Sequence, residues 1–155
     1  MLVTNLVGAI STVDTSPKYT LGALTYYSHP TYGSQVWRYV YNNSGSSIAA
    51  NRGVMQEDGT DLYQVALSGA NCEQARFLGV TQHAIAAASY GWVLASGVGL
   101  LASDGSTTAN TAQQAAASGL LTDGVVGTDE LVAWAQATEN PAGSGGTFQG
   151  IVRAL

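Results

Sequence analysis

The sequence predicts an all-β, single-domain barrel or sandwich with an extended N-terminal arm, and three observations carry that prediction. Short runs rich in aromatic and β-branched residues recur at roughly 10-residue spacing. Clusters of Gly, Asn, Asp and Ser, the usual turn formers, separate those runs. A length of 155 residues suits one core rather than several.

Residues 1–30 read as the arm and residues 31–155 as the domain. From Met1 to Pro30 the chain is irregular, with one strand expected at Leu21–Tyr27 and a break at His29-Pro30, because a residue before proline avoids helix. Gln35-Val36-Trp37-Arg38-Tyr39-Val40-Tyr41 is the clearest strand. Its period-two alternation places Val36, Arg38 and Val40 on one face and Trp37, Tyr39 and Tyr41 on the other. Turn formers at Asn42–Ser47 close it. Two shorter strands are expected at Ser47–Met55 and Asp61–Leu67, flanking the hairpin signal Asp58-Gly59.

Arg76–Thr81 predicts a further strand, followed by a small-residue connection at His83–Ala88. Tyr90–Ala95 starts the next strand, and Val98–Ala102 continues it or pairs back on it. Thr107–Ser118 is a low-complexity Ala/Thr/Gln stretch that reads as a short helix capped by Gly119 or as a loose loop. Leu131–Thr138 is favoured as a strand, because the glycine-rich turn Pro141–Thr147 leads into a terminal strand, Phe148–Val152, that can pair with it. No repeat of solenoid period is present.

Composition narrows the function. Apolar residues make up 46% of the chain, but 19 Gly and 23 Ala supply much of that fraction and fill little volume. The large core candidates are Trp37, Trp92, Trp134, Phe77 and Phe148. Only 10% of residues are charged, against about 25% in an average soluble domain, and Lys18 is the single lysine. Neutral polar groups therefore cover most of the surface, and they desolvate more readily than unpaired charges, which favours extensive protein–protein contact.

A net charge of −5 leaves no basic footprint for nucleic acid or anionic membrane, and it keeps an assembling protein soluble before assembly. Met1–Ile10 lacks the features of a signal peptide, and no window reaches the ~20 apolar residues of a membrane span, so synthesis in a cytoplasm is expected. Cys72 stands alone, which rules out an intrachain disulfide and points to a buried apolar thiol.

Chemistry is sparse. A nucleophilic triad needs a base beside Ser or Cys, yet His29 follows the arm strand and His83 sits in the Ala-rich connection, neither in a recognisable motif. Two separated histidines and one cysteine make no three-ligand metal site unaided. Glu57, Asp58 and Asp61 read as a solvated hairpin tip in preference to a Ca²⁺ site. Gly97-Val98-Gly99-Leu100-Leu101-Ala102 satisfies the dinucleotide pattern, but a turn at Ser103–Ser106 leaves no room for the phosphate-binding helix. No catalytic residue, cofactor or metal is expected.

The run Phe77-Leu78-Gly79-Val80-Thr81-Gln82-His83-Ala84-Ile85-Ala86-Ala87-Ala88-Ser89-Tyr90-Gly91-Trp92-Val93 resembles a segment of the small head decoration, or cement, proteins of tailed bacteriophages. There a strand ending GVAQ precedes I-A-A-G-x-Y-G-W-V. Arg38–Asn42, Gly97–Asp104 and the terminal Gly150-Ile151-Val152-Arg153 are similar to the same pattern, so the resemblance spans residues 35–155. One departure is Ala88, where the pattern has glycine, so that turn is not expected to require positive φ.

The resemblance implies a small β-barrel or β-tulip-like fold that binds the outer surface of the phage head. There it would stabilise contacts between subunits of the major capsid protein, through interfaces on the order of 2,000 Å² or more. It also implies a homo-oligomer, a trimer ahead of a dimer, located in the virion. The arm aromatics Tyr19, Tyr26, Tyr27, His29 and Tyr32 are the expected contact residues, since tyrosine is enriched in interfaces. The alternative is a receptor- or glycan-binding module of a head fibre or tail fibre, with aromatics near the Asn42–Ser47 and Asp58–Asp61 turns. A small hydrolase would require His83 to lie beside a nucleophile.

Overall fold

The computed structural model describes residues 2–3, 10–57, 61–70, 72, 74–124, 135–140, 143 and 146–154. Among these residues eleven strands form one mixed sheet. They are β1 (Leu2–Val3), β2 (Leu24–His29), β3 (Gly33–Asn42), β4 (Gly53–Gln56), β5 (Gln64–Leu67), β6 (Phe77–Thr81), β7 (Tyr90–Ala102), β8 (Ala112–Ala115), β9 (Leu121–Asp123), β10 (Ala135–Ala137) and β11 (Thr147–Arg153). The order across the sheet is β1-β2-β3-β5-β4-β6-β7-β11-β10-β8-β9, with a further pairing of β3 to β7. No helix among the described residues is long and apolar enough to cross a membrane.

That further pairing makes β3, β5, β4, β6 and β7 close on themselves. Two seams of the ring are short: β3 meets β5 only at Tyr41↔Gln64 and Asn42↔Val65, and β6 meets β7 only at Val80↔Leu94 and Thr81↔Val93. The sheet therefore rolls over at one corner without becoming a true barrel, and the architecture is all-β and sandwich-like. Alternation then sorts the side chains. Val40, Val54, Val65, Leu78 and Val93, one from each ring strand, pack together with Ile48 and Ile85.

The other faces of those strands carry Trp37, Tyr39, Phe77, Val80, Trp92 and Leu94, which pack with Leu101, Ala115, Leu121, Ala135, Ala137, Phe148 and Val152 in the larger core. Each fully buried Val, Leu, Ile or Phe contributes about 1.5–3 kcal/mol relative to exposure. Cys72 is buried in this core, as the sequence predicts.

Two bulges bend the ring. Register shifts between Val36 and Trp37, opposite Ala95, and between Val54 and Met55, opposite Leu78. A glycine lies one residue after Leu78 and two after Ala95. Gly79 has φ +148°, and a Cβ there would lie 2.5 Å from the Leu94 carbonyl oxygen; Gly97 has φ +113°, and its Cβ would lie 2.7 Å from the Ser34 carbonyl oxygen. Neither position accepts a side chain without moving backbone. Gly97 and Gly99 thus sit inside a continuous 13-residue strand, with no helix to receive a dinucleotide.

The described part of the N-terminal segment does not stand off as an arm. Ile10, Tyr19 and Leu21 pack on the core, and Asp14 exchanges both backbone hydrogen bonds with Tyr90, at 2.9 and 2.8 Å. Its buried carboxylate pairs with Lys18 at 2.6 Å and accepts the Tyr39 hydroxyl at 2.9 Å. The β2–β3 hairpin, registered from Leu24↔Arg38 to His29↔Gly33, carries the sheet across Pro30. Burying these aromatics and satisfying Asp14 outweighs the solvation of an extended chain.

Thr107–Ser118 is neither helix nor loose loop. It holds β8 and runs into a 3-10 turn at Ala117–Gly119. Alanine favours helix locally, but pairing with β9 and β10 and complete burial of Gln113 decide the conformation. Ala88 also departs from expectation. Its φ is +52°, so the turn before β7 does adopt the left-handed conformation that glycine favours.

The other elements follow the pattern read from the sequence. β4 and β5 pair antiparallel from Val54↔Leu67 to Gln56↔Val65, while the Asp58-Gly59 signal lies outside the described residues. β10 pairs with β11 at Ala135↔Val152, Gln136↔Ile151 and Ala137↔Gly150, as the terminal hairpin requires. Residues 131–134, Trp134 included, lie outside the described residues.

Candidate functional site

β2 sorts the aromatic residues singled out from the sequence. Its alternation turns Tyr27 and His29 toward a partly covered face and leaves Tyr26 outward, 65% exposed. The loop from Pro30 to Tyr32 then folds back over the strand end. The His29 Nδ1 accepts the backbone N–H groups of Thr31 and Tyr32, each at 3.1 Å, which places the proton of the neutral ring on Nε2. Tyr32 stacks on His29 with centroids 4.6 Å apart and planes at 24°, and Tyr27 meets His29 edge-on at 5.9 Å. Three rings at the hairpin tip are thereby fixed before any partner arrives.

Tyr19 belongs elsewhere. Its ring lies 5.2 Å from Tyr39 and 5.3 Å from Trp92, so it completes an internal aromatic cluster. Of the five residues predicted for contact, the fold brings Tyr27, His29 and Tyr32 together. It places Tyr26 outward beside them and puts Tyr19 against the core.

Tyr27, His29 and Tyr32 line a cavity of about 280 Å³ together with Ile10, Ser11, Gln35, Trp37, Gln82 and His83. Both histidines of the chain therefore meet here, although 53 positions separate them in sequence. Two glutamines stiffen the wall. Gln35 Nε2 donates to the Val98 carbonyl at 2.6 Å while its Oε1 accepts Trp37 Nε1–H at 3.1 Å. Gln82 both donates to the Leu100 carbonyl at 2.8 Å and accepts its N–H at 2.9 Å, imitating a strand neighbour.

His83 Nε2 is buried with no hydrogen-bond partner, and desolvation lowers the pKa of this imidazole below its ordinary 6.5. It is neutral at pH 7. Neither histidine hydrogen-bonds a hydroxyl or thiol among the described residues, and no group of three His, Cys, Asp or Glu side chains there is placed to hold a metal. No described residue of the lining carries a fixed charge. Such a cavity offers ring faces and a few polar edges, which suits an uncharged ring or an aromatic side chain.

Sequence reasoning assigned Trp37 to the core and His83 to a connection, and it gave no role to Gln35 or Gln82. Apart from the rarity of histidine, no local pattern links residues 82–83 to residues 27–37. At the acidic tip the carboxylate of Asp61 accepts Gln64 Nε2 at 3.3 Å, while Asp58 lies outside the described residues.

Fold and site together define an all-β, sandwich-like domain with a rolled corner and a preorganised aromatic hairpin tip. Among solved structures, the domain is similar to the N base of head fibre gp8.5 in bacteriophage phi29. The TM-score is 0.56 and the identity 11%, and the match covers 76% of this chain and 95% of that one. At that identity the likeness is one of fold. No family model matches the chain, and no curated protein matches it in sequence.

Proposed function

We propose that this chain is a structural protein of a bacteriophage virion that binds the outer surface of the head and stabilises contacts between major capsid subunits. The observation behind this reading is the similarity of fold to a head-fibre base over 95% of that chain. The resemblance of residues 77–93 to head decoration proteins supports it independently, as does the charge-poor surface. Contact area does the work, without catalysis or cofactor. Tyr26, with Tyr27, His29 and Tyr32 behind it, forms the contact patch, and self-association, as a trimer ahead of a dimer, multiplies its affinity.

Cosedimentation with expanded phage heads tests the reading, with light scattering to fix the oligomeric state. Saturable binding by an oligomer is expected, and Tyr26→Ala weakens it about tenfold without altering stability. A monodisperse monomer with no affinity for any head shell would overturn it.

A second reading, a head-fibre module that engages a glycan receptor, is favoured by the uncharged aromatic cavity at the hairpin tip. Its residues differ from the Asn42–Ser47 and Asp58–Asp61 turns to which the sequence pointed. Glycan-array binding that Tyr32→Ala abolishes, in a protein that leaves heads unbound, would replace the first reading with the second.

A further inference from the structure

A second cavity, of about 480 Å³, opens beside the ring and is lined in part by Arg38, Leu62, Tyr63, Phe77 and Arg153. It holds two of the four arginines of an acidic chain, and none of the described residues lining it is acidic. Arg38 lies on β3 between Val36 and Val40. Its Nη1 donates to the Leu78 and Ala154 carbonyls, each at 3.2 Å, where the ends of β6 and β11 adjoin. The Tyr63 ring lies 5.7 Å from its Cζ, and its Nε is buried without a hydrogen-bond partner. Desolvation pulls its pKa below the ordinary value, the Tyr63 interaction acting in the opposite sense.

Among the described residues neither Arg38 nor Arg153 pairs with a carboxylate; the ion pair found there is Lys18–Asp14. Carbonyl dipoles and a ring face offset only part of the cost of withdrawing a guanidinium from water, and the full offset requires a negative partner. The wall beside the charges is apolar. Phe77 is buried within it, while Leu62 stands 64% exposed, a large aliphatic side chain left in water.

We infer that this cavity binds a carboxylate on an apolar stem, presented by an acidic side chain of a partner polypeptide. Two guanidinium groups match a single planar carboxylate, Leu62 and Tyr63 take the stem, and the net charge of −5 disfavours polyanions such as nucleic acid. The inference does not rest on the head-surface reading and holds for any partner that supplies the carboxylate.

The arginine Nε–H resonances of the ¹⁵N-labelled full chain provide the test, with four probes: sodium butyrate, butyramide, sodium phosphate and a capped tetrapeptide containing one glutamate. Butyrate and the peptide are expected to shift the Arg38 Nε–H resonance saturably, while butyramide leaves it in place. Arg153→Gln, at an exposed position that preserves the fold, weakens butyrate about tenfold. Leu62→Ser weakens butyrate and the peptide alike, severalfold, since both place an apolar stem against Leu62; tighter binding of the peptide than of butyrate separates a polypeptide source from a free small acid.

Equal responses to butyrate and butyramide overturn the inference, as does butyrate binding that Arg153→Gln leaves intact. Phosphate binding more tightly than butyrate overturns the carboxylate assignment, and a peptide no tighter than butyrate overturns the polypeptide source. Binding that appears only when the C-terminal carboxyl group is amidated would make that carboxylate the anion and overturn the proposal of a partner.

Discussion

The ring strands β3 to β7 and the outer strands β8 to β10 lie in one sheet but are held differently. The ring buries Trp37, Tyr39, Phe77 and Trp92 on one face and a Val/Ile/Leu cluster on the other, so apolar area dominates. The outer strands present Ala112, Gln113, Gln114 and Ala115 on β8 and Ala135, Gln136 and Ala137 on β10, which have little apolar area to bury. There a polar network substitutes for it. Gln113, fully buried, donates to Asp123 Oδ1 at 2.7 Å and to Thr111 Oγ1 at 2.8 Å, and accepts from Thr107 Oγ1 at 3.2 Å. Asp123 also accepts the Thr108 N–H at 2.8 Å. Small side chains bring strands into a sheet only where hydrogen bonds supply the specificity that volume does not.

Trp92→Ala is expected to produce the largest effect, about 3–5 kcal/mol lost in urea unfolding, because a fully buried indole in contact with Tyr19 and Tyr39 leaves a cavity. A loss under about 1 kcal/mol would break the claim that apolar burial dominates the ring.

Gln113→Leu comes next. It keeps volume but strips partners from Asp123 and Thr107, so about 1–3 kcal/mol is lost. An unchanged or raised stability would show that the outer strands, too, are held by packing. Ala88→Gly then relieves a left-handed alanine, with stability gained by about 1 kcal/mol, measurable as a higher urea midpoint.

The pH dependence separates the regions with the smallest amplitude. The depressed folded pKa of His83 contributes stability that is present above pH 6.5 and declines as pH falls below it through the folded value. At Asp123 desolvation pushes the pKa up, but hydrogen bonds from Thr111, Thr108 and Gln113 outweigh it and the net shift is downward from 3.8. Its contribution is therefore lost only at still lower pH. Stability measured against pH should fall in two stages, with the first removed by His83→Gln and the second by Asp123→Asn. A single stage common to both variants would contradict the assignment.

The ring was legible in the sequence because its strands carry large alternating residues. Gln35–Tyr41 announced both faces of β3, and the structure keeps that assignment from Gln35 to Val40. β8 was illegible, since alanine and glutamine state no period. Half of the candidate site was visible for the same reason. Tyr27, His29 and Tyr32 are close neighbours on one hairpin, whereas His83 and Gln82 arrive from the far side of the ring and carry no local sign of it.

By itself, the sequence determined the all-β class, the placement of most strands, the break at Pro30, the buried thiol and the charge-poor surface, because each depends on local geometry or on composition. Only the tertiary structure decided the closure of β3 on β7, the strand state of β8, the docking of residues 10–30 and the left-handed turn at Ala88. It also decided the meeting of two histidines in one cavity and of two arginines in another. Those features depend on which distant segment completes a hydrogen bond or covers an apolar face, and alternation along one strand carries no record of its partner.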